Sequence, residues 1–268
     1  MPKTYKILKY INSLPFNLTI KHYFVFDQLN GLLKDGELNS PESWDILREQ
    51  DPHFSISANR DEWLRASENL VKKDGQDGGL INRAKDIVKI IKRERVSSIF
   101  SVGVGGAGLE YQIKKMKPEL QLVCSEYAPT SVDLLKKVFV EADSIVLFDM
   151  KNKDWSIALK GTDPKKQICL LYRVDINFSD EEMFEIFKNM HDSGIENILI
   201  VLCGAITARG IYNRLSQRLS WKIKGIKYSF AGFLRTKKRF RSFWYDLYSD
   251  EEVDCAGLAG FLLKKRIK

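Results

Sequence analysis

Gly103, Gly105, Gly106 and Gly108 fall within six positions, in the run VGVGGAG, between the apolar stretch SSIFSV and a helical one that begins near Leu109. Glycines set this closely let a ligand approach the backbone, because a Cβ would occupy the same space and because some positions of such a loop need positive φ. A helix starting directly after the loop points its first, unpaired N–H groups at whatever the loop holds. Two carboxylates follow at the ends of the next apolar runs, Glu126 in LQLVCSE and Asp149 in SIVLFD. A carboxylate in such a place can accept hydrogen bonds from ribose hydroxyls or from the exocyclic amine of a base. The chemistry implied is the binding of a nucleotide-like cofactor. Gly103, Gly105 and Gly108 also match G-x-G-x-x-G, with Glu126 as the acid expected roughly 20 positions on, so an NAD(P)-dependent oxidoreductase is an open reading. A loop that only turns the chain is another.

The elements around these residues must place them at one end of a sheet. From Leu80 onward short apolar runs alternate with amphipathic helices. The helix LINRAKDIVKIIKRERV puts Ile81, Ala84, Ile87, Val88 and Ile91 on one face. Strand SSIFSVGV, the loop and helix LEYQIKKM follow, closed by Pro118. Then come strand LQLVCSE, helix TSVDLLKKVFVEA, strands SIVLFDM and QICLLYRV, helix SDEEMFEIFKNMHDSG, strand NILIVLCG and a helix around IYNRLSQRL. Nearly continuous apolar strands between helices predict an α/β fold, an open, doubly wound, mostly parallel sheet covered on both faces. At the end, WKIKGIKYSFAGF and CAGLAGFLLKKRI flank a basic helix, TKKRFRSFWYDLY, and the last strand is expected antiparallel at or beside the sheet edge. Residues 1–79 read as a helical lid or accessory region with no sheet of its own, with short helices at HYFVFDQLNGLLK and RDEWLRASENLVKK, and 80–268 as the cofactor-binding domain.

With Asp149 added to the loop and Glu126, this region resembles the class I S-adenosylmethionine-dependent methyltransferases, whose sheet is Rossmann-like and seven-stranded. The resemblance implies S-adenosyl-L-methionine as cofactor. The loop positions that match are Ser101, Gly103, Gly105 and Ala107, with Gly106 between them; Glu126 would take the ribose hydroxyls, Asp149 the adenine amine, and Met150 would lie against the ring. Two positions depart from the family pattern: Ser101 stands where an acid is usual, and Ala107 where a third glycine is usual.

The resemblance further implies that the segment after the fourth strand, LLYRVDINFSDEE, faces the methyl group. This makes Tyr172 and Arg173 candidate acceptor contacts and Asp175 a candidate catalytic residue. Displacement at a sulfonium depends on alignment, and an oxygen nucleophile also gains from a base. His22 is the candidate base; His53 falls in a loop, and His191 near a helix C-terminus, where its charge would be favourable. Arg83 could reach a carboxylate of the cofactor or serve the surface. Arg235, with Thr236 capping the helix after it, would present a basic site to an anionic acceptor, though the interleaved Phe240, Phe243 and Trp244 are more simply core. The absence of an Asn/Asp-Pro-Pro-aromatic tetrapeptide weakens an amino-group acceptor. The reading is O-methylation of a small-molecule or glycan-precursor acceptor, with RNA or DNA methylation through the basic surface, or a non-catalytic binding protein, as alternatives.

Bulk properties bound this. The chain of 268 residues carries a net charge of +8, which favours an acidic partner. Its four cysteines lie far apart with no CxxC, and three sit in apolar runs, as small hydrophobes do. A reducing, cytoplasmic setting with no metal site follows as an expectation. The first 20 residues lack the apolar core of a signal peptide.

Overall fold

The computed structural model describes residues 16–24, 41–50, 55–73, 79–226 and 228–266. The helix expected at 22–34 lies largely outside these residues, as does His53. In chain order the elements are β1 (Thr19–Phe24), α1 (Pro41–Gln50), α2 (Arg60–Lys73), α3 (Gly79–Arg93), β2 (Ser98–Val102), α4 (Gly108–Met116), β3 (Gln121–Glu126), α5 (Pro129–Val138), β4 (Ser144–Leu147), α6 (Ser156–Leu159), β5 (Gln167–Tyr172), α7 (Asp180–Asp192), β6 (Asn197–Val201), α8 (Ala208–Ile223), β7 (Ser229–Arg235), α9 (Lys237–Arg241), β8 (Tyr248–Cys255) and β9 (Leu258–Lys265). No described helix is long and apolar enough to cross a membrane.

Seven strands form one sheet in the order β4-β3-β2-β5-β6-β9-β8. The first five run parallel, and β9 enters antiparallel between β6 and β8. Because side chains alternate along a strand, each central strand feeds two cores. Ile99, Ile168, Leu170, Leu199 and Leu262 pack under α3, α4 and α5. Phe100, Cys169, Leu171, Ile198, Ile200 and Leu263 pack on the other face against Phe187, Met190 and Trp244. Burial on both faces is why these strands read as unbroken apolar runs, and each such Leu, Ile or Phe contributes about 1.5–3 kcal/mol. Strand order reverses between β3-β2 and β5, so a crevice opens past the carboxyl ends of these strands.

Three expectations need correction. The N-terminal region does contribute to a sheet: β1 pairs antiparallel with β7 in a separate two-stranded sheet. The strand expected at 221–233 therefore leaves the main sheet, and its helix-period start, WKI, instead ends α8. The position beside β9 is taken by YSDEEVDC, whose outward run of acids hid it in the sequence. The basic helix is accordingly only five residues, Lys237–Arg241. Gly232, at φ +114, lets β7 cross the 3-10 turn after β5; a Cβ there would lie 2.1 Å from the Ile176 carbonyl oxygen.

Candidate cofactor and acceptor site

The glycine loop joins β2 to α4 at the crevice. Gly103 has φ +65, and a Cβ would sit 2.8 Å from Val174 Cγ1, so only glycine lets the loop pass the chain after β5. Gly105 donates its N–H to Glu126 Oε1 at 3.0 Å, and Tyr127 donates to Glu126 Oε2 at 2.9 Å. The acid closing β3 thus holds the loop in place while standing in the cavity wall. Asp149, after β4, accepts the Lys151 N–H on one carboxylate oxygen at 2.8 Å, and its side chain makes no other hydrogen bond among the described residues. Phe148 and Met150 are buried on either side of it.

These residues meet in one open cavity of about 870 Å³ counting its mouth, lined by Gly103, Gly105, Glu126, Phe148, Asp149 and Met150 together with Tyr172, Arg173, Asn177 and Phe178. Arg173 adopts φ +59, a left-handed conformation costly for a non-glycine residue and typical of functional positions. Its backbone N–H bonds to the Val201 carbonyl, tying the ends of β5 and β6 together. Arg83 on α3 donates to the Tyr172 hydroxyl at 3.1 Å, so it orients a cavity residue.

The structure removes several expected residues from the cavity wall. Ser101 is fully buried behind the loop and donates to Glu110 Oε1 at 2.7 Å. The Gly106 carbonyl accepts from Trp63 Nε1 on α2 at 2.9 Å, and Ala107, at φ +57 and fully buried, starts α4. All three build the loop without lining the cavity. Asp175 is wholly buried beneath it. One carboxylate oxygen accepts the Cys203 N–H at 2.7 Å, and burial pushes its pKa up to about 6. It braces the turn after β5 against the end of β6 and does not line the cavity. His22 lies on β1, away from the cavity lining, with Nδ1 2.7 Å from Arg214 Nη1. Burial, aided by Arg214, lowers its pKa to about 4, which makes it a weak base.

Arg235 is also corrected. Its side chain is fully buried, donating from Nε to Asp180 at 2.6 Å, from Nη1 to the Asp175 carbonyl at 2.9 Å and from Nη2 to the Phe178 carbonyl. Each of its three nitrogens is engaged within the protein, and its burial keeps it from a substrate. Thr236 caps α9 as expected by accepting from the Arg239 N–H, but the Leu18 N–H also donates to it and it donates to the Phe16 carbonyl. That helix end is therefore plugged by the chain before β1. Lys237, Arg239 and Arg241 pair with Glu252, Asp180 and Asp250, while Phe240, Phe243 and Trp244 are core. The basic segment is neutralised internally, which removes the feature that suggested a nucleic-acid surface. His191 ends α7 and contacts Asp192.

Two wall residues from α1, Trp44 and Arg48, had no signal in the sequence. Arg48 Nη2 lies 3.3 Å from Glu126 Oε1, and both side chains are about nine-tenths buried. Tyr127, Phe148 and Lys151 also line the cavity and were findable as chain neighbours of the two acids.

No protein-family model matches the sequence, and no curated protein matches it. Among solved structures the fold is similar to an O-methyltransferase family protein from Burkholderia thailandensis at 12% identity and a TM-score of 0.52, over 89% of this chain and 67% of that one. It is similar to PigF with SAH at 16% and 0.53, over 83% and 62%. It is also similar to the mitomycin 7-O-methyltransferase MmcR at 14% and 0.51, over 83% and 60%. The chain spans about three fifths of the latter two proteins. Its fold is the Rossmann-like, seven-stranded fold of these methyltransferases, a class I S-adenosylmethionine-dependent methyltransferase fold.

Proposed function

We propose that the protein is an S-adenosylmethionine-dependent methyltransferase that transfers the methyl group to an oxygen of a small-molecule or glycan-precursor acceptor. The observation that carries this reading is the meeting of Gly103, Gly105, Glu126, Asp149 and Met150 in one cavity with Tyr172 and Arg173. The cavity fits the cofactor on its own terms. Gly105 faces open space where a side chain would intrude, and Asp149 keeps an unused oxygen beside two buried apolar side chains.

When bound, the cofactor supplies an electrophilic methyl on a positively charged sulfur, which departs as a neutral thioether. Glu126 would take the ribose hydroxyls and Asp149 the adenine amine, with Phe148 and Met150 against the ring. Gly103 and Gly105 leave room for the amino-acid portion. Ser101, Gly106 and Ala107 set the loop from behind. Tyr172 and Arg173 position the acceptor, and α1 covers the site through Trp44 and Arg48. Neither His22 nor Asp175 stands where a base is needed, so alignment of acceptor and methyl carries the rate enhancement.

Titration calorimetry with S-adenosylhomocysteine and with NAD tests this. Binding of the first and not the second is expected, and no binding of S-adenosylhomocysteine at about millimolar concentration overturns the reading. Glu126→Ala and Asp149→Ala should each weaken binding about tenfold, the scale of one hydrogen bond to a charged group.

A further inference from the structure

We propose that helix α8 is a docking face for an anionic lipid surface, which lies against its exposed apolar stripe. Tyr212, Leu215, Leu219 and Ile223 recur at helical spacing and are 72%, 60%, 60% and 77% exposed, and Ile226 continues the line just past the helix end. Four large apolar side chains on one helix stripe form a contiguous patch rather than scattered surface residues. The opposite side of the helix is fixed to the protein. Arg214 meets His22, Arg218 lies 4.3 Å from the centre of the Tyr23 ring, and Trp221 packs on Tyr228 at 5.6 Å. The stripe therefore points outward because of how the helix is anchored, and turning it inward would break these contacts.

Charge selects the occupant. From Asn197 to Tyr245 the sequence has eleven lysines and arginines and no aspartate or glutamate. Around α9 the basic residues are answered by Asp180, Asp250 and Glu252, but among the described residues Arg214, Arg218, Lys222 and Lys224 form no ion pair. Lys222 and Lys224 flank Ile223 and are exposed. A second copy docked on the same stripe would set these cations against their own kind with no acid on the helix to offset them. A convex ridge of apolar side chains bordered by unanswered cations suits a fluid surface of phosphate headgroups, where the ridge enters the acyl boundary and the lysines reach up to the phosphates. This proposal does not depend on the methyltransferase reading.

The test is vesicle flotation with the whole protein, using phosphatidylcholine alone and phosphatidylcholine with about one third phosphatidylglycerol. Binding to the mixed vesicles only is expected, weakened at about 0.5 M salt. The double substitution Leu215→Glu with Leu219→Glu should lower partitioning by about tenfold or more while leaving the thermal midpoint and S-adenosylhomocysteine binding unchanged. Failure to bind the mixed vesicles, or binding that survives the double substitution, overturns the proposal. A parent dimer in light scattering that the double substitution dissociates assigns the stripe to a second copy and also overturns it. A thermal midpoint lowered as for a core substitution shows the stripe covered by the chain itself, with the same consequence.

Discussion

Glu110 is the sharpest stability test the structure offers. It sits in the first turn of α4, 2% exposed, and its carboxyl accepts the Ser101 hydroxyl. Burial pushes its pKa up from 4.5 to about 7, against the smaller effect of the Ser101 bond, and the nearby Glu126 charge adds to the rise. In the unfolded chain the same carboxyl ionises near its ordinary value. Between those two pH values the folded state holds a proton that the unfolded state has released, so the contribution of this group to stability is greatest below about pH 4.5 and falls as pH rises towards 7. At 1.36 kcal/mol for each tenfold in proton concentration, the full loss is about 3 kcal/mol, and the part between pH 5 and 8 is about 2 to 3 kcal/mol. Glu110→Gln keeps an acceptor for Ser101 and copies the protonated form. The difference in unfolding free energy between variant and parent should therefore shift in the variant's favour by about 2 kcal/mol from pH 5 to pH 8, roughly 4 to 8 °C in thermal midpoint. Urea titrations of both proteins at the two pH values read this directly. The Asp175 contribution is common to both and cancels. A variant whose difference from the parent is the same at pH 5 and pH 8 would refute the reasoning, because it would mean the buried carboxyl titrates as if exposed.

Other outcomes follow from the same physics. Asp175→Asn should flatten the pH dependence of stability between about 4 and 6, where the parent loses stability as its buried acid ionises, and should leave methyl transfer within about threefold; a loss of turnover of a thousandfold with an unchanged fold would restore it as a catalytic residue. Arg235→Ala should cost about 3 to 5 kcal/mol in urea unfolding, since it leaves two interior carbonyls without their donor and Asp180 with only Arg239 and Thr19; a cost below about 1 kcal/mol would show that the network is solvated. Gly103→Ala should lower stability by about 1 to 3 kcal/mol and remove S-adenosylhomocysteine binding in calorimetry, because the positive φ and the 2.8 Å approach to Val174 both resist a Cβ. A fully binding Gly103→Ala protein would place the loop elsewhere.

What the sequence revealed and what it hid divide along physical lines. The parallel strands were legible because burial on both faces leaves an unbroken apolar signature, as in QICLLY and NILIV. The loop and both strand-end acids were legible because their spacing along the chain is set by the strand–helix repeat itself. β8 was hidden because its outward residues are a row of acids, Asp250 to Glu252, that read as a loop until their partners Arg241, Lys237 and Arg93 are seen across space. Arg48 was hidden for the same reason: its value lies wholly in a contact with Glu126, 78 positions away in the chain. Arg235 misled because a basic residue in a basic segment suggests an exposed anion site, whereas its acidic partner sits 55 residues earlier, in α7.

The serine that broke the expected pattern gains a physical account from the fold. Where the resemblance implies an acid at the end of the first strand, Ser101 is buried, and nine residues on Glu110 turns back from α4 to accept its hydroxyl. The carboxyl function has not left the neighbourhood of the loop; it is carried by the helix rather than the strand. That exchange has a cost, because the helix-borne acid is deeper and its charged form is disfavoured to about pH 7. It also has a consequence for the site. The Glu126 charge adds to the resistance of Glu110 to ionisation, so below about pH 7 a protonated Glu110 places no second negative charge behind the acid in the wall. On this argument Glu110→Gln, which fixes the uncharged form, should leave S-adenosylhomocysteine affinity unchanged at pH 6 and reduce its pH dependence between pH 6 and 8. Equal pH dependence in the two proteins would separate the buried acid from the site altogether.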